Sequence, residues 1–286
     1  KKEILKYVNS GGIPIITGFQ GISNNRRITT LGRGGSDATA ISIAKFFSAD
    51  DCFIYTDVSG VYTTDPKLNS KAKKIKKISY EEMLEMASLG AKIMQPISLQ
   101  DAMINDIDIN VRSTFINSNG TKISNNQQLF NKNPITGIAF TKNEAKITLI
   151  GVMDRPGTAA SIFKPLADNQ INVDMVVQTS SPDGGQTDIT FTIIKDDVKN
   201  CIKILKENKK ISYKKIIHDD KVSKVSIVGA GMIATPGVTY RMFQALAKKK
   251  INIMVISTSE IKISVLINQK NIKKAIRVLH KEFDLD

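Results

Sequence analysis

Between Thr29 and Asp37 the chain reads Thr-Thr-Leu-Gly-Arg-Gly-Gly-Ser-Asp, which sets a guanidinium, a hydroxyl and a carboxylate among glycines just ahead of an apolar helical stretch. A glycine-rich turn opening into a helix presents backbone N–H groups and a positive helix end to an anion. Arg33 adds a planar fork suited to a carboxylate or phosphate, and Asp37 adds an acceptor suited to an ammonium group. Reading an acid and an amine together is what an amino-acid substrate requires. The turn is not a phosphate-binding loop of the Walker type, because no Gly-Lys-Ser/Thr follows it.

The elements that must position this turn are legible around it. Ile13 to Thr17 is a β-rich apolar run ending in Gly18-Phe19-Gln20-Gly21, and Ala38 to Phe47 has a helical period through Ile41, Ala44 and Phe47. Cys52 to Thr56 reads as a second buried strand, closed by Asp57-Val58-Ser59-Gly60. Strand, helix and strand in this order predict a parallel α/β sheet, whose ligands gather at the carboxyl ends of strands, where Thr56 and Asp57 would sit. Ser79-Tyr80-Glu81-Glu82 is a capping box for a helix running to Ser88, with Gly90 just behind its end. Ile107 to Arg112 alternates like one more strand, and residues 117 to 134, rich in Asn, Ser, Gln and Gly, read as a linker.

Beyond the linker the chain repeats itself. Pro156, Gly157, Ile171 and Asn172 recur as Pro236, Gly237, Ile251 and Asn252, a constant offset of 80 residues. Each copy adds a β-rich run (Ile189 to Ile194; Ile261 to Ile267) and a final amphipathic helix. The order βαββαβ is the ferredoxin-like plan, and two copies of about 75 residues form paired domains rather than a solenoid.

Composition narrows the function classes. No apolar run approaches the roughly 20 residues that span a bilayer, so no membrane association is expected. The formal net charge is +14, but 34 of the 41 basic residues are Lys and only seven are Arg. The densest run, Lys71 to Lys77, has no interleaved aromatics and reads as a solvated face, so no nucleic-acid partner is expected. Cys52 and Cys201 form neither a disulfide framework nor a metal spacing, and a cytoplasmic setting is the default.

Four motifs in order resemble the aspartate kinase family. They are Gly18-Phe19-Gln20-Gly21; Leu31 through Asp37; Tyr55-Thr56-Asp57-Val58-Ser59-Gly60-Val61-Tyr62-Thr63-Thr64-Asp65-Pro66; and Ser88-Leu89-Gly90-Ala91-Lys92. With the paired repeats they cover nearly the whole chain. Other kinases of the same fold, acting on acetylglutamate or UMP, lack the second half. The resemblance implies a partial amino-acid-kinase-like α/β parallel sheet followed by two α+β ferredoxin-like ACT domains. The expected limits are 1–128 for the kinase portion, 129–144 for a linker and a strand associated with the second ACT domain, 145–213 for the first ACT domain and 222–286 for the second. The strand Ile135 to Phe140 would belong to the second repeat, with the first inserted between.

The same resemblance implies the activity, transfer of the ATP γ-phosphoryl group to the β-carboxylate of L-aspartate with Mg²⁺. Phe19, Arg33, Ser36 and Asp37 would hold aspartate, with Arg33 on the α-carboxylate and Asp37 near the ammonium. Thr56, Asp57, Tyr62 and Lys67 would line the nucleotide, and Lys92 would reach the phosphates. Lys67 stands where the family more often has Arg, which keeps the charge and loses the fork. Arg33, Asp37 and Lys92 would carry the catalysis. The acceptor carboxylate is ionised at neutral pH, so no general base is required, and neither His218 nor His280 is needed for catalysis. The family also opens with a Lys-Phe-Gly-Gly-type segment and supplies an acidic aspartate contact. Neither occurs in these 286 residues, so the segment by itself is expected to be inactive.

ACT pairs resemble sensors that bind amino acids between domains. The positions implied as effector contacts are Asp154, Gly157, Asn172, Asp174, Gln178, Ser181 and Thr190 in the first copy, and Ser259 and Glu260 in the second. Asp154 also suits a plain helix cap, and Thr190 an ordinary strand position. The implied effector is lysine, alone or jointly with threonine, and the exposed β edges suggest a homodimer or higher oligomer. The competing reading is a non-catalytic regulatory subunit, disfavoured by the roughly 130 residues of kinase motifs.

Overall fold

The structure is a computed structural model that describes residues 1–91, 93–125, 133–180 and 185–286. Its contacts divide the chain into two units, one of residues 1–139, 228–235 and 283–286, the other of residues 140–227 and 236–282.

In the first unit, helix α1 (Lys2–Asn9) precedes an antiparallel hairpin of β1 (Gln20–Ile22) and β2 (Ile28–Thr30). Helix α2 (Gly35–Phe47) leads to β3 (Cys52–Thr56), and a long excursion returns through β4 (Lys77–Ser79) to α3 (Tyr80–Ser88). Helix α4 (Pro96–Ile104), β5 (Ile109–Ser113) and β6 (Thr121–Ser124) complete the unit's regular elements. The sheet order is β3-β5-β6-β4. The pairs β3–β5 and β4–β6 are parallel, as the strand-helix-strand order requires, and β5–β6 is antiparallel. Ile41, Ile54, Ile78, Met83, Leu99, Ile109 and Val111 fill one core beneath the helices.

Ser79 starts α3 because both halves of its capping box form: Glu82 N–H donates to Ser79 Oγ, and Ser79 N–H donates to Glu82 Oε2 (3.2 Å each). Tyr80, Met83 and Met86 then lie three residues apart on one buried face. Pro96 sits at the start of α4, where its missing N–H costs nothing.

Two sequence expectations need correction. Ile13 to Thr17 is not a strand, and Ile13 and Ile15 are 83% and 97% exposed. A β-rich run becomes a strand only beside a neighbour that takes its backbone bonds, and no described strand pairs with it. Residues 117–134 are not all linker, because they contain β6, which lies between β5 and β4 in the sheet. Its single apolar core residue, Ile123, is fully buried, and Thr121 is held by polar contacts, so its pattern carries almost no hydrophobic signal. Smaller shifts are that α2 begins at Gly35 rather than Ala38, and that β3 is buried on one face only, with Phe53 and Tyr55 exposed.

The second unit carries a six-stranded sheet in the order β11-β12-β10-β7-β9-β8. Its elements are β7 (Gly137–Met153), α5 (Thr158–Asp168), β8 (Val176–Ser180), β9 (Gln186–Ile193), α6 (Val198–Glu207), β10 (Lys215–Val228), α7 (Val238–Lys248), β11 (Ile253–Thr258), β12 (Lys262–Asn268) and α8 (Ile272–Glu282). Each repeat supplies β-α-β-β-α of its own, and the long strands β7 and β10 lie side by side at the centre. Lys214 N–H donates to Ile150 O (2.8 Å), and Thr136 N–H donates to Val228 O (2.8 Å). The first contact ties the approach to β10 to the first repeat. The second sets the approach to β7 beside the first strand of the second repeat, and one unbroken strand runs through residues 144 and 145.

Ile147, Leu149, Ile162, Leu166, Phe191 and Leu205 form the first repeat's core. His280 is buried in α8 and His218 is exposed. Both cysteines are free and buried, and burial pushes the Cys201 thiol up to about 12, beyond the range of a reactive thiolate. No described helix is long and apolar enough to cross a membrane.

Candidate functional site

The hairpin of β1 and β2 delivers its two ends to the first turn of α2. Leu31 N–H donates to Phe19 O (3.1 Å), and Phe19 N–H donates to Thr39 Oγ1 (3.2 Å). The Thr39 hydroxyl in turn donates to Gly35 O (2.8 Å). Phe19 and the glycine turn are thereby locked together, with Phe19 at φ 67°. Gly34, the residue capping α2, also lies in the left-handed region at φ 77°. A Cβ there would overlap Gln95 Cγ, and one on Gly35 would come within 2.8 Å of Leu31 Cβ. Glycine is required at both places because α4 and the hairpin press directly on the turn.

This construction gathers Phe19, Arg33, Ser36 and Asp37 around the free N–H groups of an α2 N-terminus. Arg33 and Ser36 are exposed, Phe19 is 42% exposed and Asp37 is half-buried. Burial holds the Asp37 carboxyl above the ordinary carboxylate range. Burial also raises the Cys52 thiol, and the Asp37 charge adds to that. An ammonium group beside Asp37 would stabilise the ionised form that its surroundings disfavour.

The second group sits where β3 ends. Thr56 Oγ1 donates to Asp57 Oδ1 (3.1 Å), and the Ser59 and Tyr62 hydroxyls share a hydrogen bond (2.7 Å). Lys67 is exposed, on a turn in which its N–H donates to Asp65 Oδ1 (2.8 Å). The loop is pinned by Thr121, whose Oγ1 accepts from Val61 N–H (2.9 Å) and donates to Ile75 O (2.5 Å). Gly60, at φ 137°, lets the loop approach, since a Cβ there would lie 2.6 Å from Thr121 Oγ1. Sequence reading missed Thr121, because a lone threonine in a polar stretch signals nothing. The two groups make no described hydrogen bond to each other, and Lys92 lies outside the described residues.

In the first repeat, Gly157 caps α5 at φ 91°, and Gln178 Nε2 donates to Asp154 Oδ1 (3.4 Å). Asp154, three residues before Gly157, is thereby linked to Gln178 in the middle of β8. Asp174 stands two residues before β8, where its N–H donates to Thr192 O (2.9 Å) and its carboxylate is taken by Lys224 Nζ. An effector ammonium at Asp174 would compete with this chain lysine. Asn172 is exposed just before Asp174, and the Thr190 hydroxyl shares a hydrogen bond with Thr148 (3.0 Å) on the neighbouring strand. Ser259 and Glu260 are exposed in the β11–β12 turn, where Ser259 N–H donates to Lys262 O (2.7 Å). Ser181 lies outside the described residues.

A partial α/β sheet with a glycine turn at the start of α2, followed by two βαββα repeats, is the architecture of an amino-acid-kinase-like domain with an attached pair of ferredoxin-like repeats. The amino acid kinase family profile matches residues 1–113, and an ACT domain profile matches residues 147–208 and 225–283. The chain is 46% identical over 287 aligned positions to an aspartate kinase of Pseudomonas fluorescens, covering all of this chain and 69% of that protein. The chain belongs to the aspartate kinase family.

Its structure is also similar to that of E. coli aspartokinase III solved with aspartate and ADP in the R-state. That match has a TM-score of 0.79 at 29% identity and covers 99% of this chain and 63% of the enzyme. The same enzyme solved with lysine and aspartate in the T-state matches with a TM-score of 0.77, again at 29% identity, covering 99% and 62%.

Proposed function

We propose that this chain serves an ATP-dependent phosphorylation of the β-carboxylate of L-aspartate, giving 4-phospho-L-aspartate, and that its ACT repeats subject the reaction to feedback by lysine, alone or with threonine. The observation that carries this reading is the locked assembly of Phe19, Arg33, Ser36 and Asp37 at the start of α2. Arg33 pairs with the substrate α-carboxylate, Asp37 takes the ammonium, whose charge favours the ionised form that burial disfavours, and Phe19 and Ser36 bound the site. The β-carboxylate is then left free and already ionised, so catalysis consists of alignment and of neutralising charge on the transferring phosphoryl group. Thr56, Asp57, Tyr62 and Lys67 line the nucleotide, and Lys92 reaches its phosphates.

Among the described residues no group of three or more His, Cys, Asp or Glu could hold a metal ion. Mg²⁺ bound with the nucleotide would help neutralise the charge of its phosphates. The structures of a relative with aspartate and ADP, and with lysine and aspartate, support the choice of substrates and effector. In the first repeat the effector carboxylate docks at the α5 N-terminus beside Asp154, Gly157 and Gln178.

Calorimetric titration of this chain with lysine, with and without threonine, tests the sensor half. Saturable binding of lysine, by itself or only with threonine present, is the expected result. The absence of heat with both together would refute lysine as the effector.

A further inference from the structure

Glu82 has a second task beyond capping α3. Its side chain is 5% exposed, and its second oxygen, Oε1, accepts from the Thr136 hydroxyl (2.6 Å) and from Ala230 N–H (2.9 Å). Thr136 immediately precedes β7, and Ala230 follows β10 by two residues. These two strand ends are pressed backbone to backbone. A Cβ on Gly229 would overlap Pro134 O, and one on Gly231 would come within 2.7 Å of Pro134 Cα. All of these residues belong to the first unit, and of the two central strands of the sensor sheet β7 starts at this junction and β10 ends at it.

From Glu82 the contacts continue to the substrate turn. Helix α3 packs on α4. On α4, the Ser98 hydroxyl donates to Gly34 O (3.4 Å), and Gln95 fills the space that a side chain at Gly34 would need. A second branch reaches the candidate nucleotide loop, where Ile138 N–H donates to Thr63 O (2.7 Å). Packed cores transmit displacements between discrete arrangements rather than absorb them.

We propose that Glu82 is the positioning residue that couples effector binding on the ACT repeats to the aspartate site, by tying the paired ends of β7 and β10 to α3. The proposal rests on the feedback-regulated aspartate kinase reading above. Its discriminating variant is Glu82→Gln, because glutamine also suits the third position of a capping box but offers one acceptor oxygen in place of two. The amide can cap α3 or hold Thr136 and Ala230, but not both.

The test measures, in the full-length polypeptide, how far saturating lysine, with threonine present if calorimetry requires it, raises the KM for aspartate. Effector affinity is measured separately by calorimetry in the absence of aspartate. The wild type is expected to show a factor of about 5–150. In Glu82→Gln this factor should fall to within about twofold of unity, with effector affinity held within about threefold. Thr136→Val, which leaves the carboxylate in place, should lower the factor partway, and it decides the matter if Glu82→Gln fails to fold. A wild-type factor retained in the folded variants would overturn the proposal, and a merely structural role predicts that result together with lowered stability. A wild type that phosphorylates aspartate with no effector response would overturn the feedback reading and the proposal together, and it is recognised without any variant.

Discussion

Replacing Lys224 by Met is expected to lower the melting temperature of the chain by about 10 °C. Lys224 Nζ lies 3.1 Å from Glu144 Oε1, and the two side chains are 5% and 7% exposed on the adjacent strands β10 and β7. Asp174, half-exposed, completes a triad with them. Removing the ammonium leaves the Glu144 carboxylate buried without its counter-charge, which typically costs about 3–5 kcal/mol. At about 2–4 °C per kcal/mol for a domain of this size, the shift is readily seen in a thermal melt. Asp174→Asn should cost under about 1 kcal/mol, because an exposed partner is largely screened. The double variant Glu144→Gln, Lys224→Met should recover much of the loss, because a buried pair replaced as a pair leaves no orphan charge. A Lys224→Met melt within about 2 °C of the wild type would show that the pair is not energetically coupled.

The second large effect is expected at Arg33. Its side chain is exposed, so Arg33→Ala should leave the melting temperature unchanged within about 2 °C while weakening aspartate binding. A hydrogen-bonded charge contact is worth about 1.5–3 kcal/mol, so the KM for aspartate should rise about 10- to 150-fold. The α-carboxylate does not react, so the loss belongs to ground-state and transition-state binding alike, and kcat should fall far less than KM rises. The KM for ATP should stay within about twofold. Arg33→Lys should restore only part of the affinity, because an ammonium keeps the charge without the bidentate fork. An unchanged KM for aspartate in Arg33→Ala would remove Arg33 from the substrate site.

The parts of the fold that were legible in the sequence are those governed by local chemistry. The capping box at Ser79 and the glycines of the α2 turn have short-range causes and form as read, and the 80-residue offset shows because each repeat carries the same local glycine-capped helix start. The parts that were not legible depend on a neighbour. Ile13 to Thr17 has strand-like composition but no paired strand among the described residues. Thr121 to Ser124 looks like linker yet occupies the sheet interior, because its polar atoms are satisfied by Val61 and Ile75.

Glu82 was legible as a cap only, because the partners of its other oxygen lie 54 and 148 residues away. The buried pair was within reach of the sequence. Glu144 and Lys224 stand 80 residues apart, the same offset that aligns Pro156 with Pro236, so equivalent positions of the two repeats carry opposite charges. In the candidate site, the bonds of Thr39 hold Phe19 against the turn that carries Arg33, Ser36 and Asp37. Among the effector candidates, Gln178 bonds Asp154, whereas Asp174, four residues earlier, is held by Lys224.

The most direct test of aspartate phosphorylation is ADP formation by the full-length polypeptide, with the acyl phosphate trapped by hydroxylamine. Aspartate phosphorylation requires that ADP release depend on L-aspartate and match aspartyl hydroxamate one for one. ADP release that is indifferent to aspartate, or supported equally by acetylglutamate or UMP, would contradict it.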